Sequence, residues 1–480
     1  MSLQLLIILA YFALTIAIGL YARKKTSSAR SFHGAGLGVL MVVVVGVGEW
    51  LGGTSTTGIS EYGFIAGLSG AWYTIANGIG VIVLALFFAK LYRSLDTVTI
   101  PGIVEKFLGV NARVVTSVLL IFVMIAVGTA QVIAAGTMGV SVLGISYETA
   151  VVILGIGFIA YTLAGGMTAI GYTNLVHLNA MYGGAVLAVI FVLADIGGLA
   201  SLKSHLPAQP FFSWTGIGWS HISSWIIASV LGACTAQAGI QPILAAKDVR
   251  VAQKGAFITA FVVAPFGILT ALLGMAAKVR FPELANAKLA LPTLMMHLNP
   301  AVGGIVLASI MAAILSTVAP IILAAGTMFA KDLYQRLWYP EADEKQLLLV
   351  SRISTGAAGI ACLLLALLMY GSTRILDMVY FAYTIRGSLF VILLFAIYWR
   401  KTSPQGAVYA MVITAMAGFF WVFYKAKYGH FPVHPAFTET YAAVVMAVIS
   451  TVVLSLITGK IEGQHNAGVA TFNTASGEDR

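Results

Sequence analysis

Thirteen apolar runs of about twenty residues follow one another along the chain, and one such run is long enough for a helix to cross the ~30 Å hydrocarbon core of a bilayer. They are Leu3 to Tyr21, Leu37 to Ile59, Ala71 to Tyr92, Val114 to Val140, Thr149 to Ala164, Ile170 to Leu193, Ile222 to Leu244, Ala256 to Ala277, Val302 to Ala330, Leu348 to Tyr370, Ile375 to Trp399, Ala407 to Tyr424 and Tyr441 to Leu456. Numbered as spans 1 to 13, they leave little besides short connections. Backbone N–H and C=O groups in lipid must pair within their own segment, so the expected fold is all-α and polytopic with 13 transmembrane helices. Hydrophobic residues make up 60% of the chain and charged residues 9%, where a soluble domain carries about a quarter charged.

The net charge of +10 comes from Lys and Arg at the ends of the apolar runs. With the N-terminus outside, 19 of the 27 basic residues collect on the cytoplasmic side, 7 outside, and Arg386 lies within a span. That bias fits the positive-inside rule and argues for a multi-pass protein of the cell inner membrane, with the C-terminus cytoplasmic and no nucleic-acid partner. Span 1 has no basic residue before it and Arg23, Lys24 and Lys25 after it. This reverses the charge order of a signal peptide, so the span is expected to be retained. Cys234 and Cys362 both fall inside apolar runs, which gives no support to a disulfide framework or a metal cluster. Residues 1–458 are expected to form one transmembrane transporter domain and residues 459–480 a polar, disordered cytoplasmic tail. The outer connection from Gly197 to His221, with its prolines and aromatic residues, reads as an interfacial cap.

Two spans are interrupted. Span 2 carries Gly46, Gly48, Gly52, Gly53 and Gly58, the carboxylate of Glu49, and hydroxyls from Thr54 to Ser60. Such a segment is tolerable in a membrane only where its unpaired backbone lines a protein cavity. Five spans later, Ile222 to Leu244 holds Gly232, Thr235, Gln237, Gly239, Gln241 and Pro242. Paired broken helices at corresponding positions of two halves point to an inverted-repeat transporter, here a 5+5 repeat of spans 2 to 6 and 7 to 11, with spans 1, 12 and 13 additional.

Three stretches resemble the sodium:solute symporter family: Gly165 to Gly184 (GGMTAIGYTNLVHLNAMYGG), Gly239 to Asp248 (GIQPILAAKD) and Leu307 to Tyr334 (LASIMAAILSTVAPIILAAGTMFAKDLY). Their order and spacing match over nearly the whole chain. The resemblance implies the amino-acid-transporter (LeuT-like) fold with spans 2 and 7 unwound, and one Na+ site between spans 2 and 9. Carried over by position, its ligands are the carbonyls of Gly48, Leu51 and Ala313 and the hydroxyls of Ser316 and Thr317. Neutral oxygens suit a hard cation that must also be released. The resemblance also implies solute contacts just past the break of span 2, at Gly52, Thr54 and Ser55, with Thr235 and Gln237 as the counterparts in span 7 and Tyr383 closing the pocket. Members with a second sodium site carry an aspartate in span 6 where this chain has Asn174, so one coupled ion is expected. A second departure is Pro242, where the family pattern commonly has arginine.

Glu49 and Arg386 are not dictated by the resemblance. A charge at a helix centre costs roughly 2.5–3.5 kcal/mol on insertion scales, so each needs a partner or a task. Three readings stand: the two pair as a brace or gate, Arg386 holds a solute carboxylate, or Glu49 carries protons. His177 in span 6 reads first as a hydrogen-bonded packing residue. The expected function is a sodium-coupled secondary symporter importing a small polar solute, with a preference for a carboxylate-bearing one. No nucleotide loop or H-E-x-x-H points to an enzyme, and no obligate protein partner is expected. A proton-coupled carrier using Glu49, and a sensor or passive pathway on the same fold, are the alternatives.

Overall fold

The computed structural model describes residues 3–23 and 36–459; the tail beyond Gly459 and the basic residues Lys24 and Lys25 lie outside the described residues. The architecture is all-helical, with no strand among the described residues and a single isolated bridge from Leu37 to Ala246. Among the described residues, ten helices are long and apolar enough to cross a membrane, and spans 1, 2 and 5 fall in the shorter apolar helices Leu3–Ile18, Val39–Trp50 and Tyr147–Leu163. A further short apolar helix, Ala287–Met296, lies in the connection between spans 8 and 9.

Spans 5 and 6 run on as one helical stretch, Tyr147–Ile196, of 50 residues. Drawn straight it would extend ~75 Å, far more than a bilayer can cover. The hydroxyls of Tyr161 and Thr173 meet, although twelve residues separate them. Along a straight helix twelve residues rise ~18 Å, so the path from Tyr161 to Thr173 is not straight.

The span 9 helix, Pro300–Met328, is the centre of the molecule: 94% of its most apolar window is buried inside the protein, against 33% for the span 10 helix Glu344–Met369. It packs against spans 1, 4, 6 and 10 and the inner half of span 2. An apolar helix hidden on every side leaves its few polar groups, Ser309, Ser316, Thr317 and Thr327, to partners within the protein.

Span 2 is broken as its composition requires. An α-helix, Val39–Trp50, ends at Leu51 (φ −110°, ψ 80°), and a π-turn over Thr54–Gly58 leads into a second α-helix, Ile59–Ala66. Small residues set the position of this outer half. A Cβ on Gly63 would come within 2.5 Å of the Ala271 carbonyl, and one on Gly274 would strike the Ser60 carbonyl, so the two helices touch backbone to backbone. Ser60 donates to the Thr270 carbonyl at 2.8 Å, and Thr270 returns a bond to the Ser55 carbonyl at 2.8 Å. The half-helix ends at Gly67, whose φ of +69° suits glycine and whose Cα packs against the Phe211 backbone. The connection between spans 6 and 7 thus lies on this end of span 2, also held by Ser69 to Ser213 O at 3.0 Å and Trp72 Nε1 to Trp214 O at 2.8 Å.

Span 7 has the matching interruption. Trp219–Ala233 ends at Cys234, and Gln237–Leu244 resumes with Pro242 inside it. The turn is held by Tyr92, whose hydroxyl donates to the Cys234 carbonyl at 2.9 Å. Cys234 and Cys362 are free and buried.

Candidate functional site

Breaking span 2 after Trp50 leaves the Gly48 carbonyl without its ordinary helical donor, and span 9 supplies one. The Thr317 hydroxyl donates to Gly48 O, and the Ser316 hydroxyl reaches the same oxygen at 3.4 Å while donating to Ala313 O at 2.8 Å. Two carbonyls and two hydroxyls therefore share one buried, uncharged spot between spans 2 and 9. Leu51 is buried one turn further along span 2. Glycine at 48 is required by closeness, because a Cβ there would run into the Asn174 amide and lie 3.1 Å from the Ser316 carbonyl. Asn174 donates its amide N–H to Val44 O at 3.3 Å, and its Oδ1 is buried without a hydrogen-bond partner. The donor set fits a sodium ion: hard neutral oxygens, hydroxyls free to rotate their lone pairs toward a cation, and an unused amide oxygen beside them.

On the other side of the break lies a chain of hydroxyls and aromatic rings. Gln131 accepts from Gly53 N at 2.6 Å, and its amide N–H reaches the Thr54 hydroxyl at 3.4 Å. Thr54 meets the Tyr73 hydroxyl at 3.0 Å, and Tyr73 meets Tyr383 at 3.1 Å. Gly52 is pressed against Thr317 and Gln131, so this chain touches the oxygen cage directly. Ser55 turns inward on its own backbone, donating to Gly52 O at 2.9 Å.

Arg386 is 0% exposed. Its guanidinium carbon stacks 3.6 Å from the Tyr383 ring centroid and 5.3 Å from that of Trp50, yet none of its three side-chain nitrogens has a hydrogen-bond partner. Glu49, one residue before Trp50, is 6% exposed and its Oε2 has no partner. Each charge lies within the other's electrostatic reach, but no ion pair joins them. Thr235 donates to the Arg386 carbonyl at 2.6 Å, fixing the span 7 break against span 11.

Gln237 is used differently. Its Oε1 accepts from Ile100 N at 2.7 Å and its Nε2 donates to Val98 O at 3.1 Å, so the amide clamps the connection between spans 3 and 4. Beside that clamp, Thr99 donates to Asp332 at 2.8 Å, Arg113 bridges Asp332 and Glu105, and Arg336 reaches Glu105 at 2.7 Å. His177 accepts from or donates to the Tyr11 hydroxyl on span 1 and touches none of these groups.

Gln131, Tyr73 and the Asp332 cluster were not singled out in the sequence. A lone amide in the apolar run of span 4 was a usable signal, since a buried amide must find partners. Tyr73 had none, because tyrosines are common at membrane boundaries.

On the opposite side of the break from that clamp, rings close over Arg386. Tyr383 meets Tyr380 edge-on at 5.7 Å, Tyr380 stacks on Trp225 at 4.4 Å, and Trp225 meets Tyr62 at 5.2 Å. The Tyr62 hydroxyl donates to Asp377, and Glu61 accepts from Ile375 N at 3.2 Å. A polar recess of about 500 Å³, bordered by Lys288, Arg374, Asp377, Lys425 and Glu439, opens above this seal.

The chain is 26% identical to the osmoregulated proline transporter OpuE of Bacillus subtilis (strain 168), over 95% of this chain and 96% of that one. It is also 26% identical to the sodium/glucose cotransporter of Vibrio parahaemolyticus, over 85% of this chain and 83% of the relative. Its fold is that of a Na+-coupled sialic acid symporter solved in a substrate-bound outward-open state, with a TM-score of 0.79 at 19% identity, covering 95% of this chain and 98% of the other. The family model for the sodium:solute symporter family matches residues 31–414. The protein is a multi-pass membrane transporter rather than an enzyme, and it belongs to the sodium:solute symporter family.

Proposed function

We propose that the protein imports a small carboxylate-bearing solute together with one sodium ion by alternating access, in an inner membrane that it crosses thirteen times with its N-terminus outside. The observation that carries the reading is the shared break of span 2. The neutral oxygens of Gly48, Ala313, Ser316 and Thr317 meet on one side of it, and the unpartnered guanidinium of Arg386 lies beyond the other. In this reading Leu51 completes the sodium cage, Gly52, Thr54, Ser55, Thr235 and Tyr383 border the solute, and Asn174, standing where members with a second sodium site carry an aspartate, limits the coupling to one ion. Kinship alone does not choose the solute, since the relatives include a proline transporter and a glucose cotransporter. The buried guanidinium supports a carboxylate, which it matches in charge and planar geometry.

One sodium ion entering down about 100 mV and a tenfold gradient releases roughly 2.3 plus 1.4 kcal/mol, enough to concentrate a neutral solute several hundredfold. A monoanion would cancel the voltage contribution and be held to roughly tenfold accumulation per ion.

A thermal-shift screen of purified protein against amino acids, organic acids and sugars, each in sodium and in potassium, tests the proposal, because a ligand of the folded state raises its melting temperature. Stabilisation by carboxylate-bearing compounds in sodium alone is expected. Arg386→Gln should then weaken that binding about a hundredfold. Stabilisation equal in potassium but dependent on pH would move coupling to Glu49, whose unpartnered oxygen favours this second reading.

A further inference from the structure

A cavity of about 310 Å³ runs between span 1 and spans 4 and 5, with Met311 and Leu315 of span 9 at its back. Span 1 lines it with Leu5, Ile8, Leu9, Phe12, Thr15 and Ile16, one stripe of a helix that rises ~17 Å over those positions. The space is therefore a long slot parallel to the helix. Met138, Met311 and Leu315 in its depth are at most 3% exposed, while Leu9, Ile16 and Ile153 at its mouth are 47–54% exposed. Because that mouth is formed by apolar spans, it opens sideways into the hydrocarbon of a bilayer.

Only two of the lining side chains carry oxygen or nitrogen, and both are engaged. Thr15 donates to Tyr11 O at 3.0 Å, and the Tyr161 hydroxyl meets that of Thr173. An occupant finds no free polar group to answer, and water has too few partners to be held there. A void would forfeit dispersion contacts along the whole lining. Gly157 of span 5 keeps the slot open. Glycine in membrane helices usually lets backbones approach, as at Gly139, where a Cβ would lie 2.5 Å from that of Ala150; a Cβ on Gly157 meets nothing within 4 Å. At 3.6 residues per turn, Met311 and Leu315 lie on the side of span 9 opposite Ala313, Ser316 and Thr317, so whatever fills the slot backs the helix that carries those oxygens. We propose that the slot binds one acyl chain of a membrane phospholipid, which enters sideways from the bilayer and supports span 9 from behind. Such a chain is apolar and extended, as the slot requires, and the medium at the mouth supplies it.

The test is photolabelling of the full chain in liposomes by a phospholipid with a diazirine midway along one acyl chain, the sites being read by peptide mass spectrometry. Labelling of Met138 and Met311 is expected, because lipid that only surrounds the protein does not reach residues so deeply buried. Gly157→Leu fills the slot without a clash and favours the helix. It should lower labelling of Met138 and Met311 about tenfold, the worth of roughly two buried methylenes, and leave labelling of Phe423, exposed on span 12 outside the slot, unchanged. A melting temperature at or above that of the wild type reports that the variant is folded; should it not fold, the wild-type pattern decides alone. Label confined to exposed residues such as Leu9 and Phe423, or label at Met311 that is indifferent to Gly157→Leu in the folded variant, overturns the site. Stronger labelling of Met138 and Met311 by a free fatty acid carrying the same diazirine at equal concentration overturns the assignment to a phospholipid.

Discussion

At the scale of single residues, the proposed sodium cage rests on two hydroxyls. Thr317→Val removes the one that reaches Gly48 O while keeping the shape, and Ser316→Ala removes the one shared between Gly48 O and Ala313 O. Either change should lower the apparent sodium affinity about tenfold, the worth of one such contact, while solute affinity at saturating sodium stays near wild type; sodium titration of solute uptake in proteoliposomes checks it. Gly52→Ala should be more severe, because the added methyl would lie 2.6 Å from the Gln131 oxygen and from Thr317 Cβ, between cage and hydroxyl chain. Loss of both sodium and solute response is expected, read from the same titrations. The chemistry of this cage was legible as types of residue, small and hydroxylic within apolar runs. That Gly48 rather than a neighbour faces Thr317 came from the family resemblance and not from the residues themselves, since glycine-rich sequence permits several registers.

At the scale of elements, the outer half of span 2 is positioned by backbone contact with span 8. Gly274→Leu would force a side chain into the Ser60 carbonyl and the Phe64 amide. Overpacking of this kind costs about 1–3 kcal/mol, so the variant should show a clearly lower melting temperature and a weaker solute response. Both interruptions, after Trp50 and after Ala233, were visible as glycine and polar residues where lipid allows few. The partner each broken end chose was not visible. Gln237 reads in sequence as a polar group at the break, and the fold commits both ends of its amide to Val98 and Ile100.

At the scale of the whole molecule, two closures flank the buried site. The Tyr62–Trp225–Tyr380–Tyr383 rings close one side. The Gln237 clamp and the Thr99–Asp332–Arg113–Glu105–Arg336 cluster close the other. Alternating access requires each to open in turn. In the proposed orientation the Gln237 clamp is the cytoplasmic closure, and Gln237→Leu, which removes two bonds from it alone, should shift the population toward the inward-open state. A cysteine introduced at Ala236, buried at the span 7 break, should then react with a maleimide added from the cytoplasmic side about tenfold faster than in the wild-type background, as expected for about 1.4 kcal/mol. Unchanged labelling would mean that the clamp does not hold the inner gate.

The sequence by itself determined the all-helical membrane fold, because a bilayer leaves so few ways to pair a backbone that twenty-residue apolar runs and their interruptions can be read almost directly. It also determined that Glu49 and Arg386 need a partner or a task, because burying a charge has a known cost. Only the tertiary structure decided that these two charges share a neighbourhood without pairing, and that Ser316 and Thr317 close on Gly48 across 268 and 269 positions of sequence. Packing between helices fixes distances to a few tenths of an ångström through close contacts of glycine and small side chains. No local pattern encodes those distances, since each depends on where a distant helix comes to rest.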